Sequence, residues 1–565
     1  AFLKDTAVLE KFNVDLCNSV TGTSIARATI DRLDRSNMFI VPLDTSGDWY
    51  RYHHIFRDAL RIFGSTESMD HRYELHRRAS VWYEAHGMPA DAIRHALAAS
   101  DDQRLIHLAD SLWPTLDGIV AWRQWLEWVL PVAGRIHELG ESFRLGYAWA
   151  LLYTGQLEQA ERILGTLEVS DREFNDSTQT AHVYLAVARR DSAATIKQGS
   201  RLLTSLPNDD YLRRGQVQTL IGLGQWAYGD IDGARTSFKT FMEMMRHAGD
   251  LSSAVSATFV LSQLTALCGD IDGALNLCYR TLQSIESSDA PSPLGTADVY
   301  RELAAMHCER GDLESAERFL EKTERYSSGE VLPDWDRRIL VTRARVREAG
   351  GDTGVALDLL DEAQRISMRT PLPVVQPIPA VKALVLLRKG DLGSALRWAR
   401  SQDTDTNRPP EYLQEFEYGV YARVLAQEAR QAADGRRPAR NEHILSIVRE
   451  PAEMATRPID RMGFLIHRAL VHAAFGESDA ALYALDHALS IAEPIGLTTA
   501  FTIEGTAISD LLKASVRRGV NTAFARQLLS EMQQGPLSGI ATVEPDPTIV
   551  DPLSPRELDV LRKLD

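Results

Sequence analysis

The 565-residue sequence predicts an all-α protein, a superhelix of stacked helical hairpins preceded by a small module containing a β-hairpin. Three observations predict it. A glycine followed five positions later by alanine recurs eight times. Neighbouring copies in the middle of the chain are about 40 residues apart, the length of one helical hairpin. Upstream of the first copy the pattern changes to short helices and two short apolar runs.

In chain order, residues 1–62 come first. "TAVLEKFN" and "SIARATIDRLDRSN" have the spacing of short helices. "MFIVPL" is an apolar run ended by a turn at "DTSGD", and "WYRYH" pairs back on it as a hairpin. "HIFRDALRIF" is again helical. Helices, a hairpin wing and a closing helix describe a winged helix. A winged helix that reads DNA presents a basic recognition helix. The second helix here is mixed in charge, so the module is expected to work within the protein.

Residues 63–135 read as a helical connector with the first repeat, and residues 136–535 as the superhelix. The motif copies are "GMPADAIRHA" (Gly87), "GQLEQAERIL" (Gly155), "GDIDGARTSF" (Gly229) and "GDIDGALNLC" (Gly269). They continue with "GDLESAERFL" (Gly311), "GDTGVALDLL" (Gly351), "GDLGSALRWA" (Gly390) and "GESDAALYAL" (Gly476). Steps of 40, 42, 40 and 39 residues separate Gly229 from Gly390, and the two longer gaps place degenerate copies near Arg190 and Gly435. Glycine supplies the left-handed turn that ends helix A of each pair. The aspartate after it caps helix B. Alanine at the fifth position lets the two helices cross closely, and the ninth position lies one turn further on the same face. Such a pair cannot bury its apolar face alone, so neighbours stack into a right-handed superhelix. At about 40 residues the unit exceeds the standard tetratricopeptide length of about 34, so tetratricopeptide-like describes it.

Superhelices of this kind bind on their concave face. Trp226 and Tyr228 in "GQWAYGD" end a helix A and are the candidate groove residues. Trp122, Trp125 and Trp128 in "AWRQWLEWVL" could line the groove too, but aromatics at helical spacing are usually packing residues.

Residues 536–552 fall in "GPLSGIATVEPDPTIVDP", which carries proline and glycine without helical period and reads as a linker. "LSPRELDVLRKLD", residues 553–565, opens a new helix: Ser554 is the N-cap, Pro555 the first helical residue and Glu557 completes a capping box.

Composition narrows the function classes. The net charge of −16 argues against a broad nucleic-acid surface. No run of about 18 apolar residues exists, so no membrane partner is expected. Cys17, Cys268, Cys278 and Cys308 form no CxxC pair and read as buried thiols. The metalloprotease H-E-x-x-H and the nucleophile-elbow G-x-S-x-G are absent. His71 and His76 in "HRYELHRR" are five apart, which does not set them squarely on one helix face for zinc. No catalytic residue, metal ligand or resident cofactor is expected in this chain.

The two ends resemble a known family. "AFLKDTAVLEKFNVDLCNSVTG", "RLDRSNMFIVPLD" and "WYRYHHIFRDALR" resemble the winged-helix segment of MalT-like regulators, the large ATP-binding members of the LuxR family. "LSPRELDVLRKL" resembles the first helix of their DNA-binding domain, and the repeats fit their superhelical sensor. The family order is a STAND-type nucleotide-binding domain, winged helix, superhelix and LuxR helix-turn-helix. The resemblance implies that these residues are the middle of a longer protein. No phosphate loop G-x-x-x-x-G-K-[ST] appears, so ATP or ADP is expected on an upstream domain, with any ATPase activity, and DNA contact only through a complete helix-turn-helix. A small-molecule inducer or a protein partner on the concave face, and a homo-oligomer when activated, are what the resemblance implies as partners. It further implies a cytoplasmic location. Related multidomain kinases also carry MalT-like regions, which leaves the upstream module open, and an interaction scaffold is the alternative function. "YHHIFRDAL" is similar to the "MHDLVRDLA" of other STAND switches. That likeness implies that His53 is the histidine facing the nucleotide phosphates, with His54 in place of an aspartate; a structural role at the hairpin–helix junction is the other reading.

Overall fold

A computed structural model describes residues 2–534, except 36–38, 44–47, 54, 55, 58, 61–67, 117, 169–171, 288–291, 294, 327–334, 367–371, 403–407, 432–437, 450–455 and 520. The linker and the opening of the helix-turn-helix therefore lie outside the described residues, as do His54 and Gly435. The described chain is helical almost throughout, with one two-stranded sheet near its start.

The N-terminal module has helices α1 (Phe2–Thr6), α2 (Val14–Thr21) and α3 (Ala26–Arg35) and strands β1 (Ile40–Pro42) and β2 (Tyr50–Tyr52). The strands are antiparallel, with Ile40 opposite Tyr52 and Pro42 opposite Tyr50. The expected hairpin is thus present, but "TAVLEKFN" is not a helix. α1 ends at Thr6, whose hydroxyl shares a 2.7 Å hydrogen bond with the Tyr52 hydroxyl. Phe12 then bridges Tyr50 through two 2.8 Å backbone hydrogen bonds, and its buried ring packs 4.6 Å from that of Tyr52. Asn13, extended in backbone, caps α2 by accepting from the Leu16 amide at 2.8 Å. Sheet pairing and a cap win over helix propensity in this stretch. Residues 56, 57, 59 and 60 of the closing helix are helical.

The module continues into the array without a break in the core. Helix Met69–Ala85 lies on α2, with the Trp82 indole donating to Asp15 at 2.6 Å and the Tyr83 hydroxyl to the Lys11 carbonyl at 3.2 Å. One apolar cluster runs from Leu9 through Trp125 to Leu185. Trp122 and Trp125 are buried in it and Trp128 packs against it, as packing residues.

The glycine turn and the buried alanine hold at every copy, and the aspartate cap at four of the five copies that begin Gly-Asp, Asp352 being the exception. The eight turn glycines are left-handed, from φ +70° at Gly87 to +92° at Gly229. Asp230, Asp270, Asp312 and Asp391 each accept from the amide three residues on, at 2.8–3.0 Å. The alanines at the fifth position (Ala92, Ala160, Ala234, Ala274, Ala316, Ala356, Ala395 and Ala481) are fully buried, and all eight residues at the ninth position are buried too. The degenerate copy near Arg190 is present. Arg190 is left-handed at φ +60°, Asp191 caps the next helix, and Thr195 fills the alanine position with no exposure. Cys278 occupies a ninth position, and burial pushes its thiol up to about 12.

Beyond residue 190 the array packs turn upon turn. A Cβ placed on Gly229 would lie 3.1 Å from Tyr412 Cβ. On Gly269 it would lie 2.9 Å from Pro458 Cγ, and on Gly311 2.6 Å from Thr498 Oγ1. These partners follow their glycines by 183, 189 and 187 residues. The Arg190 turn likewise shares a crevice with Leu372, Pro373 and Leu413. The A–B turns at Arg190, Gly229, Gly269 and Gly311 thus abut chain about four and a half repeats later, so successive turns of the superhelix touch there, whereas a Cβ on Gly390 or Gly476 would meet nothing within 4 Å. Thr498 N donates to the Glu309 carbonyl at 3.1 Å across the same seam, and Thr499 Oγ1 to the Cys308 carbonyl.

Candidate functional site

The touching turns line a cavity of about 510 Å³ that is open to solvent on one side. Its walls come mainly from the A helices Tyr211–Tyr228, Leu251–Leu267, Thr296–Glu309, Trp335–Ala349, Ile378–Lys389, Glu415–Gln431 and Pro458–Ala474, with residues 372–376 and 497–504 completing them. The B helices pack behind them, because the alanine face that joins A to B leaves the opposite face of A pointing inward.

Three buried ionic networks brace this wall. In the first, Arg301 and Arg338 both bond Asp298, and Arg301 also donates to Glu302 at 3.0 Å. Their guanidiniums stand 5.5 and 4.8 Å from the Phe259 ring centre. Burial raises the Glu302 carboxyl above its ordinary range, and the donors Arg301 and Gln263 offset part of that rise. In the second, Glu504 accepts from Arg423 at 2.6 and 2.9 Å and from Arg388 at 2.7 Å, while Arg388 also reaches Glu348 at 2.9 Å. Burial alone would raise Glu504, but the two guanidiniums outweigh it and hold the carboxyl well below the usual range. His467 lies against this network. Burial, reinforced by Arg423, lowers it to about 3, so it is neutral at physiological pH. In the third, Arg457 pairs bidentately with Glu415, 2.8 Å in each arm, and reaches Asp460 at 3.1 Å. Its guanidinium lies 4.5 Å from the Tyr412 ring centre. Burial raises Asp460 to about 6 against the opposing pull of Arg457.

Three neutral groups in the wall lack a hydrogen-bond partner among the described residues: Trp226 Nε1, Tyr412 Oη and His467 Nδ1. Tyr412 Oη stands near both Trp226 and Asp460, but neither approach has hydrogen-bond geometry.

The sequence candidates divide. Trp226 is buried and lines the cavity. Tyr228 does not line it and is 70% exposed. Two residues along a helix is a rotation of about 200°, so the pair cannot share a face. His53 sits where β2 meets the following helical turn, its side chain exposed, its amide donating to the Phe39 carbonyl and its carbonyl accepting from Arg57 N. His71 and His76 diverge, His71 meeting Asp5 at 3.1 Å and buried His76 meeting His95 at 2.9 Å. Sequence reasoning missed Tyr412, His467 and all three networks. A buried arginine or histidine on a helix A was the available signal, but the repeat pattern does not say which arginines face inward.

These features define a class: a helical-repeat superhelix with a lumen cavity, fused to a winged helix. The MalT-like TPR region model matches residues 176–518 and the MalT winged helix domain model matches residues 1–68, and the chain belongs to the MalT-like regulator family. The chain is similar to the HTH-type transcriptional regulator MalT of Vibrio cholerae, 22% identical over 545 residues that cover 92% of this chain and 58% of that one. It is also similar to the serine/threonine-protein kinase PknK of Mycobacterium tuberculosis, 24% identical over 385 residues, 66% of this chain and 34% of the kinase. A solved STAND protein with a tetratricopeptide repeat sensor from Pyrococcus horikoshii covers 93% of this chain and 64% of its own, at 12% identity and TM-score 0.40. The chain spans between a third and three fifths of these two curated relatives. No helix among the described residues is long and apolar enough to cross a membrane.

Proposed function

We propose that these residues are the sensing and coupling region of a signal-gated transcriptional regulator. An inducer occupies the lumen cavity. The winged helix couples that event to an upstream nucleotide-binding domain that holds ATP or ADP, with His53 facing the nucleotide phosphates. The output is a LuxR-type DNA-binding domain, presented by a homo-oligomer in the active state. The observation that supports this reading is the turn-on-turn closure. An occupant of the cavity touches helices about 187 residues apart, so it biases the fit of one superhelical turn on the next. A cavity of this size admits a small molecule rather than a folded partner, which favours a sensor over a scaffold.

The test uses the full-length gene product in a reporter strain. Gly463 lines the cavity and a Cβ there meets nothing within 4 Å, so Gly463→Leu is expected to fold, intrude into the lumen and abolish induced transcription with basal transcription retained. His53→Ala is expected to raise basal transcription. Wild-type induction in Gly463→Leu sinks the cavity as sensor, and unchanged basal activity in His53→Ala sinks the phosphate-facing role.

A further inference from the structure

We infer that the lumen cavity takes an uncharged small molecule with a largely apolar body and a hydrogen-bond-accepting head at Trp226 and Tyr412, with His467 as a further polar contact in the wall. The inference rests on the reading of this cavity as a binding site and names its ligand class.

The first support is charge pairing. Of the five arginines in the wall, Arg301 and Arg338 are committed to Asp298 and Glu302, Arg388 to Glu348 and Glu504, and Arg345 lies 3.7 Å from Glu309; Arg337 is the fifth. Behind the wall Arg423 and Arg457 complete the remaining carboxylates. A phosphate or carboxylate would have to take a guanidinium from its partner and leave a buried carboxylate uncompensated, which is strongly unfavourable. A cationic ligand faces the converse penalty.

The second support is the set of groups left over. Trp226, Tyr412 and His467 are only 5%, 6% and 7% exposed, and a buried polar atom requires a partner. The indole nitrogen only donates, the phenol donates or accepts, and a neutral imidazole offers one role at each nitrogen. A carbonyl, ether or hydroxyl oxygen can accept from the indole and the phenol, which stand near each other, and a second polar atom of the occupant can serve the imidazole. The third support is the rest of the wall, which is mostly carbon: Phe259, Ile378, Val381, Phe416, Met462 and Leu497.

The probes are 6-propionyl-2-dimethylaminonaphthalene, an uncharged fluorophore with one ketone, and the competitors methyl 2-naphthoate and 2-naphthoate, which share a skeleton and differ in charge. The fluorophore is expected to bind at one saturable site, and the ester to displace it at no more than one tenth of the anion's concentration. Trp226→Phe is expected to weaken the fluorophore several-fold, and Gly463→Leu to abolish its binding. Competition by the anion equal to or better than the ester, with Gly463→Leu still blocking, overturns the ligand class and leaves the cavity as a site. Undiminished fluorophore binding in Gly463→Leu, with circular dichroism and Tm showing a folded protein, overturns the cavity itself. Unchanged binding in both Trp226→Phe and His467→Phe overturns the placement of the head.

Discussion

The repeats share one local design, and those between residues 190 and 311 differ from the ends of the array in what lies across from their turns. At Gly87, and again at Gly390 and Gly476, a Cβ would meet nothing within 4 Å, whereas at Gly229, Gly269 and Gly311 the next superhelical turn stands in the way. The charges differ in the same sense. The Arg94–Glu10 pair near the N-terminus is 47% and 62% exposed, while Arg423 and Glu504 are 7% and 2% exposed. A stack of repeats with only neighbour contacts is one-dimensional, with each unit reporting to the next. Where the superhelix returns on itself, groups far apart in sequence share one buried network, and the cavity forms there. The local motif builds the wall; the return contacts turn it into a site.

Glu504→Ala offers the largest effect. It strands Arg388 and Arg423 in a buried wall, and breaking a buried pair from one side costs about 3–5 kcal/mol. Chemical denaturation is expected to show that loss, with the helices after residue 458 opening first in hydrogen exchange. Glu10→Ala, the matched exposed change, should cost under about 1 kcal/mol. Equal losses would remove the distinction between the two regions.

The turns offer a second contrast. Alanine at Gly87 meets only the left-handed backbone cost, about 1–2 kcal/mol. Alanine at Gly269 meets that cost and Pro458 as well, and overpacking adds about 1–3 kcal/mol. The difference between the two midpoints measures how tightly one superhelical turn rests on another, and a difference near zero means that the seam is loose.

Glu504 and Asp460 respond to pH in opposite directions. Glu504 has a folded pKa below its unfolded value, so its contribution is present above the unfolded value and is lost as pH falls through the folded one. Asp460 has a folded pKa raised to about 6, so its contribution is present below the unfolded value and is lost as pH rises through about 6. Asp460→Asn is therefore expected to raise stability more at pH 8 than at pH 5. Thermal melts at both values check this, and an equal gain at both would show that Asp460 titrates normally.

The array was legible in the sequence because its rules are local. A glycine, a cap and an alanine at fixed spacing describe one hairpin, and eight hairpins imply a stack. "TAVLEKFN" was misleading because helix spacing there gives way to a backbone bridge from Phe12 to Tyr50, a partner 38 residues away. The site was legible only in part for the same reason. Trp226 is visible as an aromatic ending a helix A, but Tyr412 and His467 reach it through the superhelical return, whose pitch depends on many small packing angles that no single repeat encodes.

The smallest effects concern Trp226 and Tyr228, and they separate packing from recognition. Tyr228→Ala removes an exposed ring at a helix end and is expected to change stability by no more than about 0.5 kcal/mol. Trp226→Phe keeps an aromatic ring in the wall but deletes an indole N–H that has no protein partner among the described residues. Removing an unsatisfied donor relieves a desolvation penalty of about 1–3 kcal/mol, which offsets the loss of ring area. Tm should therefore move by a degree or two at most, in either direction. If Trp226→Phe instead lowers Tm by many degrees, the indole is a structural pillar of the wall. A small shift together with weaker binding of the uncharged fluorophore identifies the N–H as a group held unpaired for a ligand.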